Sequence, residues 1–288
     1  MKIANPVIPS PASRLCQHRH GVLGEILADL VPELFADEAR MAELIAAAAK
    51  IPAPDTSANA GAAVLAALDS GTLNRVDLSK VAGADADALA RWERTRTTLT
   101  GVLGTLRERQ DAALRRATPA ILARLDAAHK AAVAALRTHP VTVRRVRSAE
   151  AAITSGLAEE WASYAQVRAR CRESRDALVA LTGLVDDVVL RSTAGKDAIL
   201  PHVEHPERVW PDYLAWRTFG TGHRYAETGT TIGRPPWPHP DREREEFLDW
   251  LLTTDLVPWI PTPDQLAARV HELNTQARAL NPRRPTAA

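Results

Sequence analysis

From Asp85 to Thr138 the chain carries no strong helix-stop signal except Pro119. At about 1.5 Å per residue, one helix through that stretch would run roughly 80 Å. Few folds accommodate such an element without a second helix beside it. Apolar residues recur along it at Leu89, Trp92, Leu99, Leu103, Leu106, Leu114, Ile121, Leu125 and Leu136. Between Leu106 and Leu125 the stride lengthens to fours, a stutter in a heptad pattern. Pro119 lies there and removes one backbone hydrogen bond, so a bend or an interruption is expected at Thr118-Pro119.

His139-Pro140 closes this helix, and Ser148 is placed to cap another running to about Leu190. In the second stretch Tyr164, Val167, Cys171, Ser174, Leu178, Leu181, Val185 and Val188 alternate strides of three and four without a slip. That is the a/d pattern of a helical seam. A short connection between two long helices sets them antiparallel. The expected fold is therefore mainly α, built on a long coiled-coil-like antiparallel hairpin over 85–192. The seam residues are Tyr164, Val167, Cys171, Leu178, Leu181 and Val185.

Residues 1–84 read as a proline-rich arm and short helices, at about Ser13–Phe35, Asp37–Ala49 with Asp37 as cap, and Ser57–Leu68. Residues 193–288 change texture. Prolines, glycines and Trp210, Trp216, Trp237, Trp250 and Trp259 crowd into a partly irregular region. Pro240-Asp241-Arg242-Glu243 should open a helix there, with Phe247, Leu248, Leu251 and Leu252 inward. Thr262-Pro263-Asp264 should cap a last helix whose heptad positions are Leu266, Val270, Leu273, Ala277 and Leu280.

Composition agrees with helices rather than sheets. Of the residues 45% are apolar but only 5% aromatic, and much of the apolar fraction is alanine, a strong helix former with little surface to bury. A net charge of +1 gives no global field to attract nucleic acid or membranes. The basic residues are overwhelmingly arginine, which in an Ala-, Pro- and Gly-rich chain is the expected drift of a high-GC genome. Cys16 and Cys171 match no disulfide framework. No signal peptide or membrane span is visible, so a cytoplasmic protein, or part of a released particle, is expected.

Each candidate for chemistry has a weak point. Cys16 and His20 share a helical face but lack further metal ligands nearby. His202-Val203-Glu204-His205 has its histidines three apart rather than four and is bracketed by Pro201 and Pro206, so it reads as a loop. Gly195-Lys196 lacks the first glycine and the hydroxyl of a phosphate-binding loop, with Leu190 and Asp197 in those places. Gly220-Thr221-Gly222-His223-Arg224 could form an anion nest but reads more simply as a turn. Asp241, Glu243, Glu245, Glu246 and Asp249, interleaved with Arg242 and Arg244, read as a solvated face. No catalytic motif, cofactor site or metal site is expected.

What remains is a non-enzymatic protein that works by helical assembly with itself or with other proteins. A component or assembly factor of a phage-type virion is the specific form of that expectation. Trp210, Trp216, Trp237 and Trp259 would make its docking surface, since tryptophan is enriched at interface hot spots. The alternative is a nucleic-acid-associated helical protein contacting phosphate through Arg144, Arg145 and Arg147 at the hairpin turn. Arg168, Arg170, Arg172 and Arg175 alternate with acids and read as a solvated helix flank.

Overall fold

A computed structural model describes residues 11–51, 56–70, 78–182, 195–224 and 231–280. The chain is mainly helical. Among the described residues the only β pairing is two isolated bridges, Val203 with Pro258 and Arg224 with Thr231. No helix among them is long and apolar enough to cross a membrane.

The N-terminal helices are α1 (Pro11–Leu15), α2 (Gly21–Leu30), α3 (Pro32–Ala49) and α4 (Thr56–Asp69), with a short 3-10 turn at Cys16–His18. The expected Ser13–Phe35 helix is thus broken twice. Gly21 takes a φ of +79°, which a helix cannot hold. Val31 precedes a proline, which disfavours helical ψ, and it sits at φ −141°, ψ 56°. Pro32 then opens α3 at a position where its missing N–H costs nothing. Asp37 is therefore not a cap but lies inside α3, fully buried.

Helix α5 runs Leu78–Thr138 and is not interrupted at Pro119. The carbonyl that Pro119 leaves without its helical partner belongs to Arg115, and both residues are exposed, so water can satisfy it. After α5 come α6 (Val141–Arg144), α7 (Ala149–Thr154) and α8 (Ala158–Thr182). Ser148 caps α7 by accepting from the Ala151 amide at 3.2 Å. The second long helix expected from Ser148 is nevertheless split, because Gly156 takes a φ of +69° between α7 and α8. The C-terminal region holds α9 (Tyr213–Phe219), α10 (Arg244–Leu252) and α11 (Pro263–Leu280). Pro240 to Glu243 form a turn ahead of α10 instead of its first turn, and the Glu243 carboxylate accepts from the His239 amide at 2.7 Å. Thr262 and Gln265 form a reciprocal cap on α11, at 2.8 and 3.3 Å.

Compactness divides the chain into two units that cut across the three expected segments. One is Met1–Gln17 with Val31–Arg115, the other His18–Leu30 with Arg116–Ala288. In the first, Leu34, Met41, Leu103 and Leu114 are buried around a polar tie. Asp37 accepts from Arg109 and, at 3.0 Å, from Arg40, while Gln110 donates to the Leu34 carbonyl at 2.9 Å. In the second, Val133 and Leu136 of α5 join Tyr164 and Cys171 of α8, Phe247 to Leu252 of α10, Leu266 and Leu273 of α11, and Ile199, Leu200, Val203 and Trp259 from the irregular segments. His129 of α5 meets Cys171 of α8 at 3.6 Å, and the ring of His139, just past the end of α5, lies 5.5 Å from that of Tyr164.

Candidate functional site

Of the expected seam residues, Tyr164, Cys171, Leu178 and Leu181 are buried and Val167 is half-buried. Val185 lies outside the described residues. The tryptophans behave differently from one another. Trp259 is a core residue, 6% exposed, and its indole N–H donates to the Leu200 carbonyl at 2.5 Å. It is no part of a free surface. Trp210, Trp216 and Trp237 are half-buried, and Trp210 packs against both others with ring centroids 5.6 and 5.4 Å away. These three rings are chiefly one another's neighbours, with Tyr213 beneath them.

The arginines at the turn after α5 are largely engaged. Arg144 donates to the Leu252 carbonyl at 3.3 Å, and Arg147 pairs with Asp249 at 2.6 Å. Arg145 is exposed. The expected solvated flank of α8 is engaged too: Arg168 and Arg172 pair with Glu245, and Arg168 also with Asp249 at 3.0 Å. The acids Asp241, Glu245 and Asp249 therefore serve long-range ties rather than a local charge ladder.

Among the other sequence candidates, Cys16 is buried while His18 and His20 are exposed. No group of three or more metal-competent side chains clusters among the described residues. His205 turns to Glu207, 3.0 Å away. Lys196 donates to the Arg217 carbonyl at 3.1 Å, and Asp197 binds Arg217 through two hydrogen bonds, so that turn has no empty cradle. Nor is the Gly222 amide available to an anion, because it donates to the Ile232 carbonyl at 2.9 Å.

The residues that converge are ones the sequence keeps far apart. A cavity of about 470 Å³ lies between α5, α8, the 198–202 segment and α10. His129, Cys171, Arg175, His202 and Asp241 belong to its polar lining, together with the ion pairs Arg172–Glu245 and Arg244–Asp176, and Leu178, Phe247, Leu248 and Leu251 are among its apolar walls. The Cys171 thiol faces Nδ1 of His129. Burial pushes that thiol up to about 11, and burial, helped by Arg175, holds His129 well below the ordinary histidine range. The pair is neutral on both sides, which is the opposite of the thiolate–imidazolium state that a cysteine nucleophile needs.

His202 is fixed from both ends. Arg175 donates to its Nδ1, so its proton sits on Nε2, 3.4 Å from the Asp241 carboxylate. Burial and the neighbouring guanidinium bring His202 down to about 3, and with Nδ1 occupied it cannot take a proton from a substrate. Comparison with family models, curated proteins and solved structures finds no match. What the cluster can do is therefore read from its own chemistry. It offers a fixed cation and an apolar wall, with two neutral imidazoles, a neutral thiol and the Asp241 carboxylate beside His202.

Proposed function

We propose that this is a non-enzymatic interaction protein that self-associates through the N-terminal half of α5. One observation carries the reading: from residue 86 to residue 102 no side chain on this helix is buried. Leu89 is 39% and Val102 42% exposed, and Trp92 and Leu99 are half-buried. A helical segment gains most of its stability by burying an apolar face, and isolated stretches of this length are marginal in water. The four residues follow a three–seven–three spacing, which keeps them on one stripe.

The partner that fits is a second copy laid antiparallel. That arrangement sets Leu89 against Val102 and Trp92 against Leu99 of the copy, and it brings Asp87 of each segment toward Arg107 of the other. Such a contact is self-complementary, as a two-fold interface must be. A subunit or assembly factor of a phage-type particle is the larger form of the same reading, with this contact repeated among copies or partners.

Sedimentation equilibrium of the purified chain over a concentration series tests it. The wild type should show a dimer, and Leu99→Glu with Val102→Glu should shift it to monomer without loss of overall helicity by circular dichroism. A wild-type chain that stays monomeric at every concentration overturns the proposal, as does a dimer that the double substitution leaves intact.

A further inference from the structure

The cavity beside α8 holds an unevenly treated charge. Its other two arginines sit in carboxylate pairs, Arg172 with Glu245 at 2.6 Å and Arg244 with Asp176 at 3.1 Å. Arg175, deeper in the wall, has no carboxylate within ion-pair distance among the described residues. Its partners are neutral: Nη1 donates to the Pro201 carbonyl at 3.0 Å and the Trp259 carbonyl at 3.4 Å, and Nη2 to His202. A guanidinium has five N–H donors, so the Nε–H and one Nη2–H are left without an acceptor among the described residues. Asp241 pairs with His202 and acts on Arg175 only from a distance, and its own side chain is 61% exposed, so water takes up much of its charge.

A partly desolvated cation with spare donors is costly to keep unless something pairs with it. Desolvation already lowers Arg175 to about 10. The donors left over match a carboxylate, which a guanidinium binds bidentately. Beside them Leu178, Phe247, Leu248 and Leu251 offer apolar wall, and about 470 Å³ lies within the ~300–1,000 Å³ range of small-molecule sites. Of the other polar lining residues, His129 and Cys171 are uncharged, and Glu245 and Asp176 are paired with Arg172 and Arg244, so none of these adds an unpaired charge of either sign. One fork and one positive charge suit a monocarboxylate better than a phosphate dianion.

We propose that this cavity binds a small amphiphilic monocarboxylate, its head on Arg175 and its hydrocarbon body along Leu178, Phe247, Leu248 and Leu251. Binding would complete the pairing of Arg175 and fill the apolar wall together.

The test is titration calorimetry of the intact chain with octanoate, 1-octanol and octyltrimethylammonium, which share a hydrocarbon body and differ in head charge. Octanoate should bind saturably at one site. Octanol should bind about tenfold or more weakly, the factor expected for one charge-assisted hydrogen bond, and the ammonium should not bind. Because Arg175 also ties two segments to α8, Arg175→Met risks unfolding the site, so location is tested instead with Val179→Trp. Val179 is 57% exposed at the cavity wall, and a bulky ring there should obstruct entry while leaving the core alone. Octanoate affinity should fall about tenfold or more, with unchanged circular dichroism. Equal affinity for octanoate and octanol overturns the proposal, as does no binding of octanoate, or binding that Val179→Trp leaves untouched. In the last two outcomes Arg175 is a structural clamp only.

Discussion

Trp259→Phe separates a core role for this tryptophan from a docking role, and its cost can be worked from the contacts. The indole N–H is the donor to the Leu200 carbonyl, 2.5 Å away, in a site that is 6% exposed. Phenylalanine keeps most of the ring but cannot donate. Leaving a buried carbonyl without its donor costs about 1–3 kcal/mol. The smaller ring gives up roughly 40 Å² of buried apolar surface, about 1 kcal/mol at 25 cal/mol per Å². The backbone around the residue is also committed, since the Trp259 amide donates to the His202 carbonyl at 3.2 Å and its own carbonyl accepts from Arg175. A loss of about 2–4 kcal/mol is therefore expected. The control is Trp210→Phe, where the ring is half-buried among other aromatics and should cost about 1 kcal/mol or less. Urea unfolding followed by near- and far-ultraviolet circular dichroism reads both. Equal small effects at the two positions, with weakened association for Trp259→Phe, would refute the core assignment.

Two further outcomes follow from buried ionisable groups. The hydrogen bond from Arg109 holds the Asp37 carboxyl below its usual range despite burial, so its contribution is present above pH ~3.8 and lost as pH falls through the lowered folded value; Asp37→Asn should destabilise the protein at pH 7 by about 1–3 kcal/mol in urea titrations, and the difference from wild type should shrink in acid. His202, brought to about 3 by burial and Arg175, stays neutral in the folded chain while the unfolded chain protonates near 6.5; stability should therefore fall as pH drops from 6.5 toward 3, by up to about 1.4 kcal/mol per pH unit from this group, and thermal melts of His202→Asn should lose that part of the slope.

Much of the helical content was legible because its signals are local. Ser148 caps α7 and Thr262 caps α11, as their side chains and spacing imply, and Leu266 and Leu273 are buried on α11. The misread boundaries are also local, but they turn on backbone states that side-chain periodicity does not display. Gly156 takes a positive φ between α7 and α8, and Val31 is pushed out of the helical region by the proline after it. Asp37 shows a different limit. A capping residue and a buried ion-pair partner look the same in sequence, and only Arg109, 72 residues away, decides between them. The cavity was invisible for that reason throughout. Cys171 and His129 are 42 apart, Arg175 and His202 are 27 apart, and neither pair has a spacing that any local motif prescribes.

The abundance of arginine was the most misleading signal, because composition gives it a sufficient explanation and the structure gives it another. Arg137 donates to the carbonyls of Leu251, Thr254 and Leu256, at 3.0, 2.8 and 2.7 Å, and so closes the end of α10. Arg269 donates to the Glu204 carbonyl at 2.9 Å while pairing with Glu207 and Glu272. Arg217 grips Asp197 with two donors, at 2.5 and 2.9 Å. Each tie anchors an irregular segment, whose backbone carbonyls lack the regular partners that helix or sheet would supply. At Arg217 and Arg269 lysine could not serve equally: it carries the charge but not the planar fork whose separate nitrogens reach several fixed acceptors at once. Arg144, Arg147, Arg168 and Arg172 follow the same pattern, each tied to a carbonyl or carboxylate of the 245–252 stretch. Arg175 follows the pattern in tying Pro201 and Trp259 to α8, but its ties leave donors over. Arg137 also keeps a buried Nε–H without an acceptor among the described residues, so what sets Arg175 apart is its place: it lines a cavity with apolar walls, whereas the three carbonyls on Arg137 lie at a helix end whose dipole already favours a cation.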